Sequence, residues 1–165
     1  VVDKQHRARY QPPEMAAGRS NVGFAQSREE IEARLDQVWT ARAEGHEIAS
    51  HGCGHFDGGA WSASAWEQEF EQYMTLMRDA WSANKIKGEP AEWKQFVDTE
   101  IRGFRAPYLS TGPGLFKALA STGFAYDAST VSNGPAMPGR ESGLMRFSLP
   151  MIPEGPEQRP VIAMD

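Results

Sequence analysis

The sequence has almost no cysteine, no cluster of basic residues and no long apolar segment, and each absence excludes a class of protein. A single cysteine, Cys53, cannot form an intramolecular disulfide. The net charge is -5, and a chain without a basic patch is a poor candidate for binding nucleic acid. Its longest apolar runs are far shorter than the roughly 20 residues that cross a bilayer, so we expect no membrane span.

The composition is that of an ordinary globular protein. Hydrophobic residues make up 40% and charged residues 24% of the 165 positions. Both fractions are typical of a domain with a packed core. Because this length lies within the usual range for one domain, we expect residues 1–165 to belong to a single domain.

The first half of the chain contains two predicted helices. Residues 4–26 are polar and irregular and are predicted to form a long surface loop, of a length that is often functional. Residues 27–30, Ser-Arg-Glu-Glu, fit a capping box that begins the first helix. Residues 46–50 are predicted to form a strand. The second helix is predicted to begin near Ser64, with Glu67 as its capping partner.

The second half alternates short apolar segments with one predicted helix. Predicted strands occupy residues 101–105, 124–126, 145–149 and 161–164. Pro113 suits the first turn of a helix that ends near Thr122. Helices that alternate with short strands indicate an α/β fold with mostly parallel strand pairing.

Residues 50–55, Ser-His-Gly-Cys-Gly-His, place two imidazoles four positions apart. The two intervening glycines would each cost about 1 kcal/mol inside a helix, so the pattern favours a loop. A loop after a strand is where α/β barrels place their active sites. On spacing alone, His51 and His55 are either metal ligands or unrelated loop histidines. Cys53 between them is either a third ligand or a small buried thiol, and a catalytic zinc site takes three protein ligands.

A second candidate segment is residues 102–108, Arg-Gly-Phe-Arg-Ala-Pro-Tyr. An arginine at the end of a strand can hold a carboxylate in a bidentate fork. The turn after Pro107 leaves the Tyr108 amide outside any strand ladder, where it could stabilise a developing oxyanion. The same pattern also fits an ordinary turn that ends a strand.

Three segments, taken in order, resemble the motifs of the polysaccharide deacetylases of carbohydrate esterase family 4, the NodB-like domain. The family's His-Ser/Thr-x-x-His metal motif, often introduced by Gly-His-Glu-Ile, is similar to residues 45–55. Its Arg-x-Pro-Tyr/Phe motif resembles residues 105–108, and its Gly-aromatic-x-Tyr-Asp-x-Ser segment resembles residues 123–129. Each motif is short, and their ordered combination is more specific than any one of them.

The resemblance implies a fold and a metal site. The fold would be a distorted (β/α) barrel in which His51 and His55 bind a divalent cation, Zn²⁺ first, with Co²⁺ or Ni²⁺ as alternatives. Arg105 would orient a catalytic aspartate, and the backbone amide of Tyr108 would help to form an oxyanion hole.

The resemblance also implies an activity, namely hydrolysis of acetyl groups, mainly N-acetyl, from a polysaccharide or oligosaccharide. The metal would polarise the acetyl carbonyl and activate a water, with an Asp as general base and a His as general acid. Pro107, Tyr126 and Asp127 would bind the acetylated glycan. The substrates of the family imply a secreted, periplasmic or cell-wall location. No feature of the sequence predicts an oligomeric state.

The sequence departs from the family pattern in three places. Gly52 stands where Ser or Thr is common. The Thr-Phe-Asp-Asp motif, which supplies the base and the third metal ligand, is absent, and so is the final Leu-x-His motif. Because the missing motifs belong at the two ends of the domain, we expect a partial domain. The Asp ligand, Asp base and His acid would then lie outside residues 1–165, and the isolated chain would be inactive.

Two other functions remain open from the sequence. An amidohydrolase of the same fold that acts on a small amide would share the ordered motifs, but would have a deep closed pocket instead of a shallow groove. A non-catalytic glycan-binding relative would share the fold and lack the catalytic groups.

Overall fold

The computed structural model describes residues 7–141 and 143–163, which form helices packed on two small sheets. The helices are α1 (Arg28–Ala43), α2 (Ala63–Arg78), α3 (Ala80–Ala83), α4 (Trp93–Thr99) and α5 (Pro113–Ser121), with a 3-10 turn at Pro107–Leu109. The strands are β1 (Gly103–Phe104), β2 (Tyr126–Asp127), β3 (Val131–Ser132), β4 (Gly139–Glu141), β5 (Leu144–Arg146), β6 (Leu149–Glu154) and β7 (Arg159–Ile162).

The two sheets confirm the α/β class. The first has the order β1-β2-β5-β4, in which β1, β2 and β5 are parallel and β4 is antiparallel. The second has the order β3-β6-β7, with one parallel and one antiparallel pair. Neither sheet closes on itself within the described residues, so the predicted distorted barrel is not confirmed.

Helix α1 begins where the sequence predicts. The Ser27 hydroxyl accepts a hydrogen bond from the Glu30 amide at 3.1 Å, and the Glu30 carboxylate accepts one from the Gln26 amide at 2.7 Å. Both bonds satisfy amides that have no partner inside the helix. The helix buries Ile31 and Leu35 on the face that packs inward.

The predicted strand over residues 46–50 is wrong for all but its last residue. Ser50 makes a single parallel bridge with Phe104, and residues 46–49 belong to no strand. The physical reason is the length of β1, the neighbour with which this segment would pair. β1 begins at Gly103, so residues 100–102, which residues 46–48 would face, belong to no strand and offer no ladder.

The second helix begins at Ala63, which confirms the predicted start near Ser64, but its cap differs from the prediction. Ser62 caps α2, and its hydroxyl accepts from the Ala65 amide at 3.1 Å. Trp61 just before the cap packs against Trp66 with ring centroids 4.9 Å apart, a hydrophobic staple that selects Ser62 over Ser64. Glu67 instead accepts a hydrogen bond from the Ser121 hydroxyl on α5.

Helix α2 covers the first sheet through aromatic contacts. Trp66 and Phe70 pack against Phe104 of β1 with ring centroids 5.6 and 4.9 Å apart. All three side chains are fully buried, so the end of β1 is fixed against the helix.

Parallel pairing brings the sequence motifs to one edge of the sheet. The Arg105 amide donates to the Ser50 carbonyl at 3.0 Å, and the Ala128 amide donates to the Phe104 carbonyl at 2.8 Å. Residues that follow parallel strands emerge on the same side, where open α/β sheets bind their ligands. His51, Arg105 and Ala128 therefore share one edge.

The contact between α5 and the start of α2 predicts a stability effect at Gly114. A Cβ at this position would lie 2.2 Å from the Trp61 carbonyl oxygen and 2.8 Å from the Ser62 carbonyl carbon, both backbone atoms. We expect Gly114→Ala to lower the free energy of unfolding by about 1–3 kcal/mol, because backbone cannot give way cheaply. Urea unfolding measures this.

The matched control is Gly139→Ala, since a Cβ at Gly139 would have no atom within 4 Å. We expect this variant to change stability by less than about 0.5 kcal/mol. Equal effects of the two substitutions would contradict the packing of α5 on the α2 terminus.

Candidate functional site

The two histidines lie on one loop with their rings in contact. The ring centroids of His51 and His55 are 5.0 Å apart and their planes meet at 70°. His55 has a φ of 55°, which is uncommon for a residue other than glycine. Asn21 from the long loop holds this conformation. Its side-chain amide donates to the His55 carbonyl at 3.0 Å, and its backbone amide donates to the Gly54 carbonyl at 2.8 Å.

The hydrogen bond of His51 defines its tautomer. Its Nδ1 lies 2.8 Å from the carbonyl oxygen of Arg105. A carbonyl oxygen only accepts, so Nδ1 carries the proton and Nε2 of the neutral ring keeps its lone pair. A ring N–H bonded to a backbone carbonyl is the usual arrangement that orients a metal-binding histidine.

The separation of the rings fits one shared cation. Two imidazoles bound to a tetrahedral Zn²⁺ at about 2.0–2.1 Å have centroids about 5 Å apart, and the observed distance is 5.0 Å. Residues 7–141 and 143–163 contain no group of three or more His, Cys, Asp and Glu side chains arranged to hold a metal. Metal binding by His51 and His55 stays a prediction with two protein ligands.

Arg105 lines two cavities, and His51 lines both of them as well. Its Nε donates to the Ala128 carbonyl at 3.1 Å, while its terminal nitrogens have no hydrogen-bond partner in the described part of the chain. A cavity of about 490 Å³ is lined by His51, His55, Arg105, Ala106, Tyr108, Leu109 and Ile162. A second of about 370 Å³ is lined by Ala49, Ser50, His51, Phe104, Arg105, Tyr126 and Ala128. The guanidinium is thus held by one bond and retains donors for a ligand.

Tyr108 lies over the edge of the His55 ring. Its φ is 59° and the next residue, Leu109, has a φ of 53°, so two consecutive residues adopt the left-handed region. The ring centroids of Tyr108 and His55 are 4.8 Å apart, and the tyrosine is 61% exposed. Its amide has no acceptor among the described residues. Such an amide is available to donate a hydrogen bond to an oxyanion. This role of Tyr108 stays a prediction.

Asp127 supports the turn that carries Arg105. Its side chain is 0% exposed, and its Oδ1 accepts from the Ser129 hydroxyl. The same hydroxyl accepts from the Ala106 amide at 2.8 Å. The other oxygen, Oδ2, has no hydrogen-bond partner among the described residues. A fully buried carboxylate of this kind can position the turn, and contact of Asp127 with the substrate stays a prediction.

Pro107 and Tyr126, the other two predicted substrate-binding residues, differ in exposure. Pro107 is buried, whereas Tyr126 is half-buried and lines the smaller cavity. Burial, followed by a hydrogen bond to Glu47 and the charge of that carboxylate, raises the pKa of Tyr126 to about 12. The phenol is therefore neutral and available as a hydrogen-bonding group.

The buried carboxyl group of Asp127 leads us to expect that the free energy of unfolding depends on pH. Burial raises the pKa of its carboxyl, partly opposed by Ser129 and by the charges of Arg146 and Arg105. The folded chain then holds this proton more tightly than the unfolded chain. The contribution of Asp127 to stability is greatest below its unfolded pKa of about 3.9 and is lost as the pH rises through the folded value.

Asp127→Asn removes this loss because the amide does not ionise. We expect the free energy of unfolding of the variant, relative to the parent, to rise with pH from about 4 upward. Urea unfolding of both proteins between pH 4 and 8 measures the difference, with the exposed Asp36→Asn as control. A difference that stays constant with pH would contradict the effect of burial.

Sequence reasoning missed a buried carboxylate behind the histidine loop. Glu69 on α2 is 2% exposed; its Oε1 accepts from the Cys53 amide at 2.7 Å and its Oε2 accepts from the Tyr10 hydroxyl at 2.8 Å. The sequence did contain a signal for this residue, because Glu69 lies between Trp66 and Phe70 on the apolar face of its helix. A carboxylate in that place needs partners.

Cys53 is half-buried beside this carboxylate. Burial, reinforced by the charge of Glu69 and a hydrogen bond to it, raises the pKa of the thiol. The protonated form is favoured, and the thiolate that a metal needs is disfavoured. This environment agrees with the interpretation of Cys53 as a small buried thiol.

No helix within the described ranges is both long and apolar enough to cross a membrane.

Comparisons with known proteins add a structural likeness. No protein-family model matches the chain, and no curated protein matches it significantly. The chain is similar in structure to a solved Mycobacterium smegmatis protein described as a "putative polysaccharide deacetylase", with a TM-score of 0.49 and 19% sequence identity. The match covers 74% of this chain and 37% of that one, so the chain spans just over a third of its length. A likeness at this level carries no argument about chemistry, and the functional argument rests on the site itself.

Proposed function

We propose that this chain contributes to a metal-dependent hydrolase that removes acetyl groups, chiefly N-acetyl, from a polysaccharide or oligosaccharide. The observation that supports it most is the His51–His55 pair. The rings lie 5.0 Å apart, and the Nδ1 of His51 is bound to the Arg105 carbonyl, so that its Nε2 is available to a cation. The cation proposed is Zn²⁺, with Co²⁺ or Ni²⁺ as substitutes.

The residues around the pair have separate tasks in this proposal. His51 and His55 would hold the divalent metal, which would supply polarisation of the acetyl carbonyl and a lowered pKa for a water beside it. The terminal nitrogens of Arg105 hold the carboxylate of the catalytic aspartate in a bidentate fork. That aspartate is the one expected outside residues 1–165. The Tyr108 amide donates to the oxyanion of the tetrahedral intermediate. Pro107 and Asp127 shape the turn that carries both groups, and Tyr126 offers a neutral hydroxyl to the substrate.

Exposure of the site favours a polymeric substrate over a small amide. His51 is exposed and Tyr108 is 61% exposed, so the part of the chain that the structure describes leaves the histidine pair open to solvent. An aromatic side chain beside an open site suits the faces of sugar rings, whereas small-molecule sites bury most of their ligand. A secreted, periplasmic or cell-wall location follows from such a substrate.

The test is metal-dependent release of acetate from an acetylated chitooligosaccharide by the native protein that carries this sequence. We expect release with added Zn²⁺ or Co²⁺ and none after treatment with a chelator. Hydrolysis of small amides but not of acetylated glycans would favour an amidohydrolase. Glycan binding without any hydrolysis would favour a non-catalytic relative, and either result would overturn the proposal.

A further inference from the structure

The buried contacts behind the histidine loop connect three parts of the chain. Glu69 belongs to α2, Cys53 lies between the two histidines, and Tyr10 belongs to the long loop before α1. The carboxylate accepts the Cys53 amide on one oxygen and the Tyr10 hydroxyl on the other, at 2.7 and 2.8 Å. Both bonds are made by a side chain that is 2% exposed, so water does not compete for them.

The position of the Cys53 amide gives this contact a consequence for the site. Only one residue, a glycine, separates Cys53 from each histidine, so a shift of its peptide plane changes the direction of both imidazoles. The two glycines that flank Cys53 are also closely packed against Glu69 and Tyr10. A Cβ at Gly54 would lie 2.8 Å from the Tyr10 ring, and a Cβ at Gly52 would lie 3.1 Å from the Glu69 carboxylate. The loop therefore rests directly on Glu69 and Tyr10.

We propose that Glu69 is a positioning residue that sets the separation of the His51 and His55 rings through its hydrogen bond to the Cys53 amide. The inference rests on the proposed metal site, which it deepens. Glu69 does not contact the cation in this account. It acts through the loop, while Tyr10 occupies the second oxygen and keeps the carboxylate in one orientation.

The test compares Co²⁺ affinity among four variants of the chain, followed by visible absorption. Glu69→Ala removes the acceptor, and we expect a loss of about 10–100-fold, as for other residues that orient metal ligands. Glu69→Gln keeps a carbonyl oxygen for the Cys53 amide, and we expect it to stay within roughly threefold of the parent. Tyr10→Phe leaves the Cys53 bond in place and is expected to have an intermediate effect.

The matched control for general destabilisation is Val97→Ala. Val97 is 0% exposed in the separate core cluster around α4, and its truncation should lower the unfolding midpoint without changing Co²⁺ affinity. An equal loss of affinity in Glu69→Ala and Val97→Ala would overturn the inference. So would a loss in Glu69→Gln as large as that in Glu69→Ala.

Amide hydrogen exchange separates this inference from the metal proposal. Without metal, the Cys53 amide should exchange faster in Glu69→Ala than in Val97→Ala, because only the first removes its acceptor. A parent chain that binds no Co²⁺ would overturn the metal proposal, and the exchange rates would still decide the role of Glu69. Equal exchange of the Cys53 amide in the two variants would overturn the positioning role.

Discussion

Replacing His51 or His55 with alanine is expected to lower the affinity of the chain for Zn²⁺ or Co²⁺ by more than about 100-fold, because losing even an orienting partner of a ligand costs about 10–100-fold. The two rings are the proposed ligands, and they lie 5.0 Å apart. Isothermal titration calorimetry on the purified chain measures the change. Folding should persist in both variants, since His51 is exposed and His55 is only half-buried.

The matched control is His46→Ala. His46 is an exposed histidine on the same segment, and its Nε2 makes a long contact of 3.9 Å with the Glu44 carboxylate. We expect this variant to bind metal as the parent does. A similar loss of affinity in all three variants, or in none, would contradict the assignment of the ligands.

Arg105→Lys is expected to reduce the turnover number of the native enzyme by about 10²–10³-fold, the usual effect of removing a preorganised donor. Lysine cannot reproduce the planar fork of the guanidinium, although it keeps the positive charge. The Nε bond to the Ala128 carbonyl is also lost, so the head group is no longer aligned. Steady-state acetate release measures the effect, and metal affinity should change little.

Arg102→Lys is the control for Arg105→Lys. Arg102 is exposed, lies three residues earlier on the same segment and lines neither cavity around the histidines. We expect full turnover from this variant. Unchanged turnover in Arg105→Lys would remove Arg105 from the mechanism, whatever the behaviour of Arg102→Lys.

Local chemistry predicted the helix boundaries best. Ser27 and Glu30 form the capping contacts that begin α1, and Pro113 opens α5. Gly123 follows the end of α5 with a φ of 83°, a conformation that side chains resist. Each of these signals lies within a few residues of the boundary that it sets, so the sequence alone reveals it.

Long-range contacts account for the predictions that were wrong and for the residues that were missed. The strand over residues 46–50 depends on how much of β1 is extended, and only Ser50 finds a partner. Glu69 meets Tyr10 across 59 positions of sequence, and Asn21 meets His55 across 34. No local pattern encodes such pairs. Closure of the predicted barrel depends on strand pairing of the same kind.

The candidate site was predicted by motif and order, and the structure adds its geometry. The sequence predicted His51, His55 and Arg105 as site residues from two short segments. The parallel bridge at Ser50 explains why they meet, because it aligns the first motif with the end of β1. The bond from His51 to the Arg105 carbonyl links the two motifs directly, and spacing could not have revealed it.

The most direct test of the central claim is X-ray absorption spectroscopy at the zinc edge on the chain loaded with one equivalent of Zn²⁺. The account predicts two imidazole nitrogens at about 2.0–2.1 Å, with the remaining positions filled by oxygen. It predicts no sulfur at about 2.3 Å, because the account assigns Cys53 as a small half-buried thiol held beside Glu69 and not as a ligand. A spectrum without imidazole scattering, or one with a sulfur ligand, would contradict the assignment of His51 and His55 as the protein ligands of the zinc ion.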